Sequence, residues 1–157
     1  MLQIYQMSFI VKYLIARDIK HYLGFLFERG YTINEIHYDS RTFGNWWVVL
    51  QSSRCVIVVT QDRSELLVSF APHMSEPKNQ IALESMIYFL SEGKTFIGYF
   101  DGNLFQEKKR QFERLARLLN GNIDQIEPYF GSNYEKYKSE LLNAQRKYNE
   151  CLLKSSR

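Results

Sequence analysis

The sequence predicts an α+β fold, because its helical and strand-like segments are segregated along the chain instead of alternating. One amphipathic helical pattern comes first, four short runs rich in β-branched and aromatic residues follow, and three or four helical patterns complete the 157 residues. The connectors between the runs are too short for parallel crossovers, which need about a dozen residues. The expected sheet is therefore a four-stranded antiparallel meander.

The N-terminal helix is predicted over residues 8–29. Apolar residues recur in it at spacings of three and four, which is typical of a helix with one buried face. They are Phe9, Tyr13, Ala16, Ile19, Leu23, Leu26 and Phe27. Gly30 follows at the position where a left-handed residue commonly closes a helix.

The four strands are expected at residues 31–39, 45–51, 54–61 and 65–71. The second and third are apolar at nearly every position, whereas a sheet with one solvated face shows alternation. Both faces at the centre of the sheet are therefore expected to need cover, from helices or from a partner chain. Trp46 and Trp47 are adjacent in the second strand, so their side chains must point to opposite faces.

After the sheet, helices are expected at residues 78–92, 104–119 and 123–130, with Gly121 as the end of the second of these. Residues 95–100 fit either a fifth strand or an extended connector. The whole chain, 1–157, is expected to form one domain. Residues 1–103 supply its helix, sheet and next helix, and residues 104–157 supply a helical part that is not an independent domain.

The last helix follows a capping-box sequence at residues 132–135 and carries a heptad stripe. The stripe consists of Tyr134, Tyr137, Leu141, Ala144, Tyr148 and Cys151. Such a stripe docks either on another helix or on a second copy of itself. A homodimer through this C-terminal helix is therefore one of two predicted arrangements.

The sequence gives no sign of export or of a membrane span. The N-terminus lacks a basic region, and no run reaches the roughly 18 apolar residues that a spanning helix needs. Cys55 and Cys151 have no spacing typical of a metal site or a disulfide framework, and Cys55 is expected to be a small core residue. We therefore expect a cytoplasmic protein with no metal and no cofactor.

Motifs for catalysis are weak. Gly93-Lys94-Thr95 is similar to the end of a phosphate-binding loop, but Tyr88 stands where that loop requires a glycine. The histidines lack the i, i+4 pairing typical of zinc proteases.

An enzyme would instead need a site assembled by the fold, from His73 and the carboxylates at strand ends and turns, in a concave pocket. These carboxylates are Asp39, Asp62, Glu65 and Asp101, and acids in turns usually hydrogen-bond their own backbone. A small hydrolase-like enzyme is thus the second alternative function, and no catalytic residue is assigned.

Nucleic-acid binding is the first alternative. Residues 104–157 carry eleven basic and seven acidic side chains, whereas the rest of the chain is nearly neutral. Arg110, Arg114 and Arg117 fall on one helical stripe, which suits contact with a phosphate backbone. Glu107 and Glu113 flank this stripe, however, as on an ordinary solvated helix face.

The surplus of aromatic residues around the sheet favours protein binding as the main function. Trp, Tyr and Arg are the residues that anchor protein interfaces. The loop before the second strand combines charge, an aromatic side chain and a flexible glycine. The predicted partner-binding residues are Asp39, Arg41, Phe43, Trp46 and Trp47.

Residues 43–54 read Phe-Gly-Asn-Trp-Trp-Val-Val-Leu-Gln-Ser-Ser-Arg, and residues 61–66 read Gln-Asp-Arg-Ser-Glu-Leu. This order of an F-G-N-aromatic strand, a further strand, a D-R turn and another strand resembles small bacterial proteins, some of which are regarded as immunity proteins of polymorphic or contact-dependent toxin systems. The resemblance implies a cytoplasmic bacterial protein that neutralises a toxin by covering its surface, and it brings no catalytic residue. Immunity proteins against basic nucleases are often acidic, so the slight positive charge of this chain argues against a nuclease partner.

Overall fold

The computed structural model describes residues 2–42, 44–72, 80–98 and 107–155, with side chains from Phe9 onward. The elements in chain order are α1 (Leu2–Tyr22), α2 (Gly24–Glu28), β1 (Thr32–Asp39), β2 (Asn45–Gln51), β3 (Val56–Asp62), β4 (Glu65–Ala71), β5 (Ile81–Ala82), α3 (Leu83–Leu90), α4 (Lys108–Ile126) and α5 (Tyr134–Ser155). Two short 3-10 helices, Glu127–Tyr129 and Gly131–Asn133, join α4 to α5. The predicted α+β class, with an N-terminal helix first and helices last, is confirmed.

The sheet is antiparallel throughout, in the order β1-β2-β3-β4-β5. The four predicted strands are present with ends shifted by at most two residues. The expected number of strands was wrong, because Ile81–Ala82 pairs with Ser69 and Phe70 as a fifth strand. Two residues are too few to show a periodic pattern, so this strand left no signal in the sequence.

One face of the sheet carries the main core. Alternate residues of β2, β3 and β4 point to this face, where helices cover them. The same cluster takes in apolar side chains from the helices α1, α4 and α5. Its members include Val48, Leu50, Ile57, Val59, Val68, Phe70, Ile19, Leu23, Phe112, Leu119, Tyr134 and Leu141.

The opposite face of the sheet has a smaller buried cluster of Val49, Val56, Val58 and Ala71. Val49 and Val58 are direct cross-strand neighbours. Both faces of the central strands are therefore apolar and buried, which explains why β2 and β3 lack the alternation of a half-solvated sheet.

Helix α5 packs along α3 of the same chain. In the heptad stripe, Tyr134, Leu141, Ala144 and Tyr148 are buried, and Tyr137 and Cys151 are half-buried. Of the two predicted arrangements, the structure shows the heptad stripe of α5 packed on another helix, α3. This packing gives no support to a homodimer through the C-terminal helix, which stays a prediction.

Two glutamine side chains on helices form hydrogen bonds with backbone groups at the ends of strands. The Gln111 side chain in α4 accepts a hydrogen bond from the Leu66 N–H at 2.8 Å and donates one to the Ser64 carbonyl at 2.7 Å. The Gln145 side chain in α5 accepts from the Ala82 N–H at 2.9 Å and donates to the Gln80 carbonyl at 3.2 Å. Gln145 thereby satisfies backbone groups at the β5 edge of the sheet, which would otherwise need water or another strand.

Candidate functional site

Helix α1 carries four of the eight large hydrophobic side chains that are exposed among the described residues. Phe9 and Tyr13 are 75% and 65% exposed, and Ile10 and Leu14 also belong to the exposed large hydrophobic residues. The prediction that Phe9 and Tyr13 lie on the buried face was wrong. The N-terminal half of α1 is apolar nearly all round, so the helix buries Ile15 and Ile19 and leaves a second apolar arc in solvent.

A groove of about 300 Å³ lies beside this arc. It is lined by residues of α1, of β1, β2 and β3, of the β1–β2 loop and of the start of α4. They are Val11, Leu14, Ile15, Arg17, Asp18, Tyr38, Gly44, Trp46, Gln61 and Lys108. Leu14 belongs both to the exposed arc and to the groove, so the two are continuous. We call the arc of Phe9, Ile10, Tyr13 and Leu14, together with this groove, the α1 surface.

The charged groups of the α1 surface are mostly basic. Asp18 is ion-paired with Arg17 at 3.1 Å and with Lys108 at 3.5 Å, so its carboxylate is shared between two cations. Lys108 also lies 5.4 Å from the centre of the Trp46 ring. Lys20 is exposed one turn beyond Arg17 on α1. The rim therefore carries an excess of positive charge.

Asp39, one of the predicted partner-binding residues, has the local role that an acid in a turn usually has. The Asp39 carboxylate accepts a hydrogen bond from the Arg41 N–H at 2.9 Å, and this bond lowers the pKa of Asp39. The Arg41 side chain itself is 91% exposed. Phe43 lies outside the described residues.

The two tryptophans point to opposite faces, as predicted. Trp46 is 3% exposed, and its indole N–H donates to the Gln61 side chain at 3.0 Å, so it forms the floor of the groove. Trp47 is 36% exposed on the other face, where its ring stacks on His37 with centroids 3.7 Å apart. The five predicted residues therefore do not form one surface.

The Asn45 side chain forms a clamp between the β1–β2 loop and the β3–β4 turn. The Asn45 side chain donates to the Asp62 carboxylate at 2.9 Å and accepts from the Arg63 N–H at 2.6 Å. Arg63 has a φ of 56°, a left-handed conformation that these contacts help to hold. Asn45 of the F-G-N sequence is thus joined by hydrogen bonds to Asp62 and Arg63 of the D-R turn.

The three arginines of the predicted nucleic-acid stripe do not share an exposed face. Arg110 and Arg117 are exposed on α4, whereas Arg114 is buried and lies 3.9 Å from the Glu84 carboxylate of α3. The stripe prediction is wrong at Arg114. Glu84 is thirty residues away in sequence, so helical periodicity alone gave no sign of this contact.

A second cavity, of about 200 Å³, lies around that ion pair. We call it the Arg114 cavity, and it is lined by Glu65, Leu67, Ala82, Glu84, Ile97, Gly98, Arg114, Tyr148, Asn149 and Leu152. Burial is the main cause that raises the pKa of both Glu65 and Glu84. Glu65 was predicted as a sheet-end carboxylate, but His73 and Asp101 lie outside the described residues. The described lining contains no serine, cysteine or histidine to act as a nucleophile or base.

Cys55 lies in a buried polar cluster beneath the 3-10 helix Glu127–Tyr129. The Tyr31 hydroxyl is 2.9 Å from the Cys55 sulfur and donates to the Glu127 carboxylate at 2.9 Å. Arg29 and Arg54 pair with the other Glu127 oxygen at 3.1 and 3.3 Å. Burial raises the pKa of the Cys55 thiol to about 12, which is the opposite of what activates a nucleophilic cysteine.

Comparison with protein families, with curated proteins and with solved structures finds no match to this chain. Within the described ranges, no helix combines the length and apolarity needed to cross a membrane. The same residues contain no group of three or more histidine, cysteine or acidic side chains arranged to hold a metal ion.

Proposed function

We propose that this chain is a non-enzymatic protein-binding module that docks its partner on the α1 surface. The observation that carries the proposal is the exposure of Phe9, Ile10 and Tyr13 beside a groove. Covering one large apolar side chain contributes about 1.5–3 kcal/mol, and tyrosine is among the residues that dominate binding energies.

The basic rim specifies the chemistry of the partner. Arg17 and Lys108 line the groove beside the apolar arc, and Asp18 is already paired with both of them. Lys20 is exposed one turn after Arg17 on α1. A partner that presents an apolar segment flanked by carboxylates would complement both the arc and the rim. The groove, with Tyr38 and Gln61 in its walls, suits an inserted side chain better than the flat boundary of a lipid layer.

The specific form of the proposal is an immunity protein that neutralises a bacterial toxin by covering its surface. The resemblance of residues 43–54 and 61–66 supports this form, and the Asn45 clamp accounts for why those residues occur together. Surface occlusion needs no catalytic group. An interface of ordinary size, about 800 Å² on each partner, is enough.

The test is co-expression of the chain with the product of the gene adjacent to its own. Wild-type chain should relieve the growth inhibition caused by that product, and the purified pair should form a complex. Tyr13→Asp should weaken the complex at least tenfold, because it removes an apolar anchor and opposes the acidic rim of the partner. Leu153→Asp is the matched control, since Leu153 is equally exposed on α5 and lies outside the α1 surface.

Three results would overturn parts of the proposal. Equal binding by Tyr13→Asp and wild type would remove the α1 surface as the docking site. A neighbouring product that is harmless, or that does not bind wild type, would remove the immunity role. Sedimentation of wild type with vesicles of anionic lipid, lost in Tyr13→Asp, would assign the surface to a membrane instead.

A further inference from the structure

Three side-chain amides converge on the two-residue turn that joins β3 to β4. The Asn45 side chain accepts a hydrogen bond from the Arg63 N–H at 2.6 Å. The Gln61 side chain donates to the Arg63 carbonyl at 3.4 Å, and Gln111 of α4 donates to the Ser64 carbonyl at 2.7 Å. Both backbone groups of Arg63 are thus held, together with the next carbonyl along the chain.

The backbone conformation of Arg63 explains why the turn needs this support. Its φ of 56° lies in the left-handed region, which glycine adopts freely and a residue with a Cβ rarely adopts. Such a conformation persists where the surrounding contacts hold it. Loss of either the Asn45 or the Gln61 amide is therefore expected to move the turn.

The same Gln61 side chain holds the floor of the groove. Gln61 and Trp46 are cross-strand neighbours, and the Trp46 indole N–H donates to the Gln61 side-chain oxygen at 3.0 Å. Because Trp46 is buried, a rotation of its ring that broke this bond would leave a buried donor unpaired. The oxygen of Gln61 therefore selects one orientation of the ring, and its nitrogen joins that orientation to Arg63.

We infer that Gln61 and Asn45 are the positioning residues of the groove in the α1 surface. Gln61 acts on the Trp46 ring directly, and Asn45 acts on it through Arg63 and Gln61. The inference rests on the proposed function, because the groove serves docking only if a partner inserts a side chain there. Asn45 and Arg63 belong to the F-G-N and D-R sequences, so both sequences bear on the shape of the groove.

The bond to Gln61 also bears on which side chain the groove accepts. The indole N–H is already engaged, so an inserted side chain cannot use it as a donor and meets the apolar part of the ring. A variant that frees this donor leaves an unpaired polar group at the floor and a ring without a fixed orientation. Both changes oppose the insertion of an apolar side chain.

The experiment follows hydrogen exchange of the Trp46 indole N–H by NMR in the full chain, with Trp47→Phe as the background so that a single indole remains. The Val59 amide is the reference for general stability, because Val59 is buried in β3 between two paired strands. The measured quantity is the exchange rate of the indole N–H divided by that of the Val59 amide. A variant that only destabilises the whole fold does not raise this ratio.

The variants separate the two hydrogen bonds of Gln61. Gln61→Met removes both bonds at similar side-chain length and should raise the ratio at least about tenfold. Asn45→Ala removes the support of Arg63 and should raise the ratio about threefold. Gln61→Glu keeps an acceptor for the indole N–H but loses the donor to Arg63, so Asn45→Ala added to it should have no further effect.

Asn143→Ala is the matched control for Asn45→Ala. The Asn143 side chain accepts a hydrogen bond from Arg146 within α5 at 2.8 Å, so this variant also removes one side-chain amide contact, and it should leave the ratio unchanged. Docking is measured separately, with the product of the adjacent gene as the partner. Gln61→Met should weaken that complex about tenfold, whereas Asn143→Ala should bind like wild type.

Three results would overturn the inference. They are an unchanged ratio in Gln61→Met, an equal effect of Asn45→Ala with and without Gln61→Glu, and binding of the partner by Gln61→Met as tight as by wild type. If wild type forms no complex, the proposed function is overturned instead. The exchange ratios of the free chain then decide by themselves whether Gln61 and Asn45 position Trp46.

Discussion

Cys55 shows how residue types with reactive side chains serve structure in this chain. Its thiol contacts the Tyr31 hydroxyl, which in turn donates to Glu127, and Arg29 and Arg54 balance the Glu127 charge. The neutral thiol is the form that this buried cluster favours. The burial of Cys55 was predictable from its place in a Val/Ile run, whereas Glu127 is 72 residues away and left no local signal.

The raised pKa of Cys55 makes the fold sensitive to alkali. The thiol titrates near 9 when unfolded and near 12 when folded, so the unfolded chain loses its proton first as the pH rises. The free energy of unfolding should therefore be unaffected by this group below pH 9 and fall between pH 9 and pH 12, by on the order of 1 kcal/mol at pH 10. Urea unfolding at pH 8 and pH 10 measures the loss.

Cys55→Ala is the variant that isolates this contribution. It removes the thiol ionisation, so its stability should fall less between pH 8 and pH 10 than that of wild type. Some decline should remain, because burial also raises the pKa of Tyr31. The same decline in both proteins would contradict the assignment to Cys55.

Arg114 was predicted wrongly for the same reason that the contact of Cys55 with the Glu127 cluster left no local signal. A charged residue at a helical spacing from two other arginines is expected in solvent with them. Its burial depends on Glu84, which α3 brings within 3.9 Å only when the helices pack. Pairing between distant elements is a property of the folded chain that local patterns do not encode.

Among the elements, the strands were the most predictable. Their bounds follow from local chemistry, because the β-branched and aromatic runs are bounded by residue types typical of turns, such as Asn45 at the start of β2 and Asp62 at the end of β3. The face of α1 was not predictable, since apolar residues surround its first turns and the periodicity fits two alternative faces. The end of α4 was also missed, because the helix continues through Gly121 to Ile126.

Gly121 is tolerated in α4 because the buried Leu119, Ile123 and Ile126 continue the helical period on either side of it. A glycine inside a helix costs about 1 kcal/mol relative to alanine, and a Cβ at Gly121 would meet open space. Gly121→Ala should therefore raise the free energy of unfolding by about 1 kcal/mol, measured by urea denaturation.

Gly131→Ala is the contrasting variant. Gly131 has a φ of 61°, and a Cβ there would lie 2.7 Å from the Arg54 carbonyl oxygen. The backbone between α4 and α5 would have to shift, so this substitution should destabilise the protein. A gain in stability from Gly131→Ala would contradict the close approach to Arg54, and no gain from Gly121→Ala would contradict the propensity argument.

At the scale of the whole molecule, one core joins the sheet to the C-terminal helices. The main cluster contains residues of β2–β4 together with Phe112, Leu119, Tyr134 and Leu141 of α4 and α5. The sheet and the C-terminal helices thus contribute to the same cluster of buried residues. A single domain was predicted from the length and the pattern of the sequence. Because a small single domain usually unfolds cooperatively, this prediction can be tested by unfolding.

We expect the chain to unfold in a single cooperative transition. The loss of helix, followed by far-UV circular dichroism, and the exposure of Trp46, followed by its fluorescence, should have the same midpoint in urea. Trp47→Phe removes the other indole, so that the fluorescence reports Trp46 alone. Two separated midpoints would show that the helical part and the sheet unfold independently.

The two apolar faces of helix α1 are under different constraints, one from folding and one from binding. Ile15 and Ile19 are buried in the core, so a substitution at either residue is constrained by its effect on folding. Phe9, Ile10 and Tyr13 on the opposite arc touch little of the chain's own body and are limited only by what binds to them. The arc is therefore free to acquire a new specificity through surface substitutions while the scaffold beneath it stays unchanged.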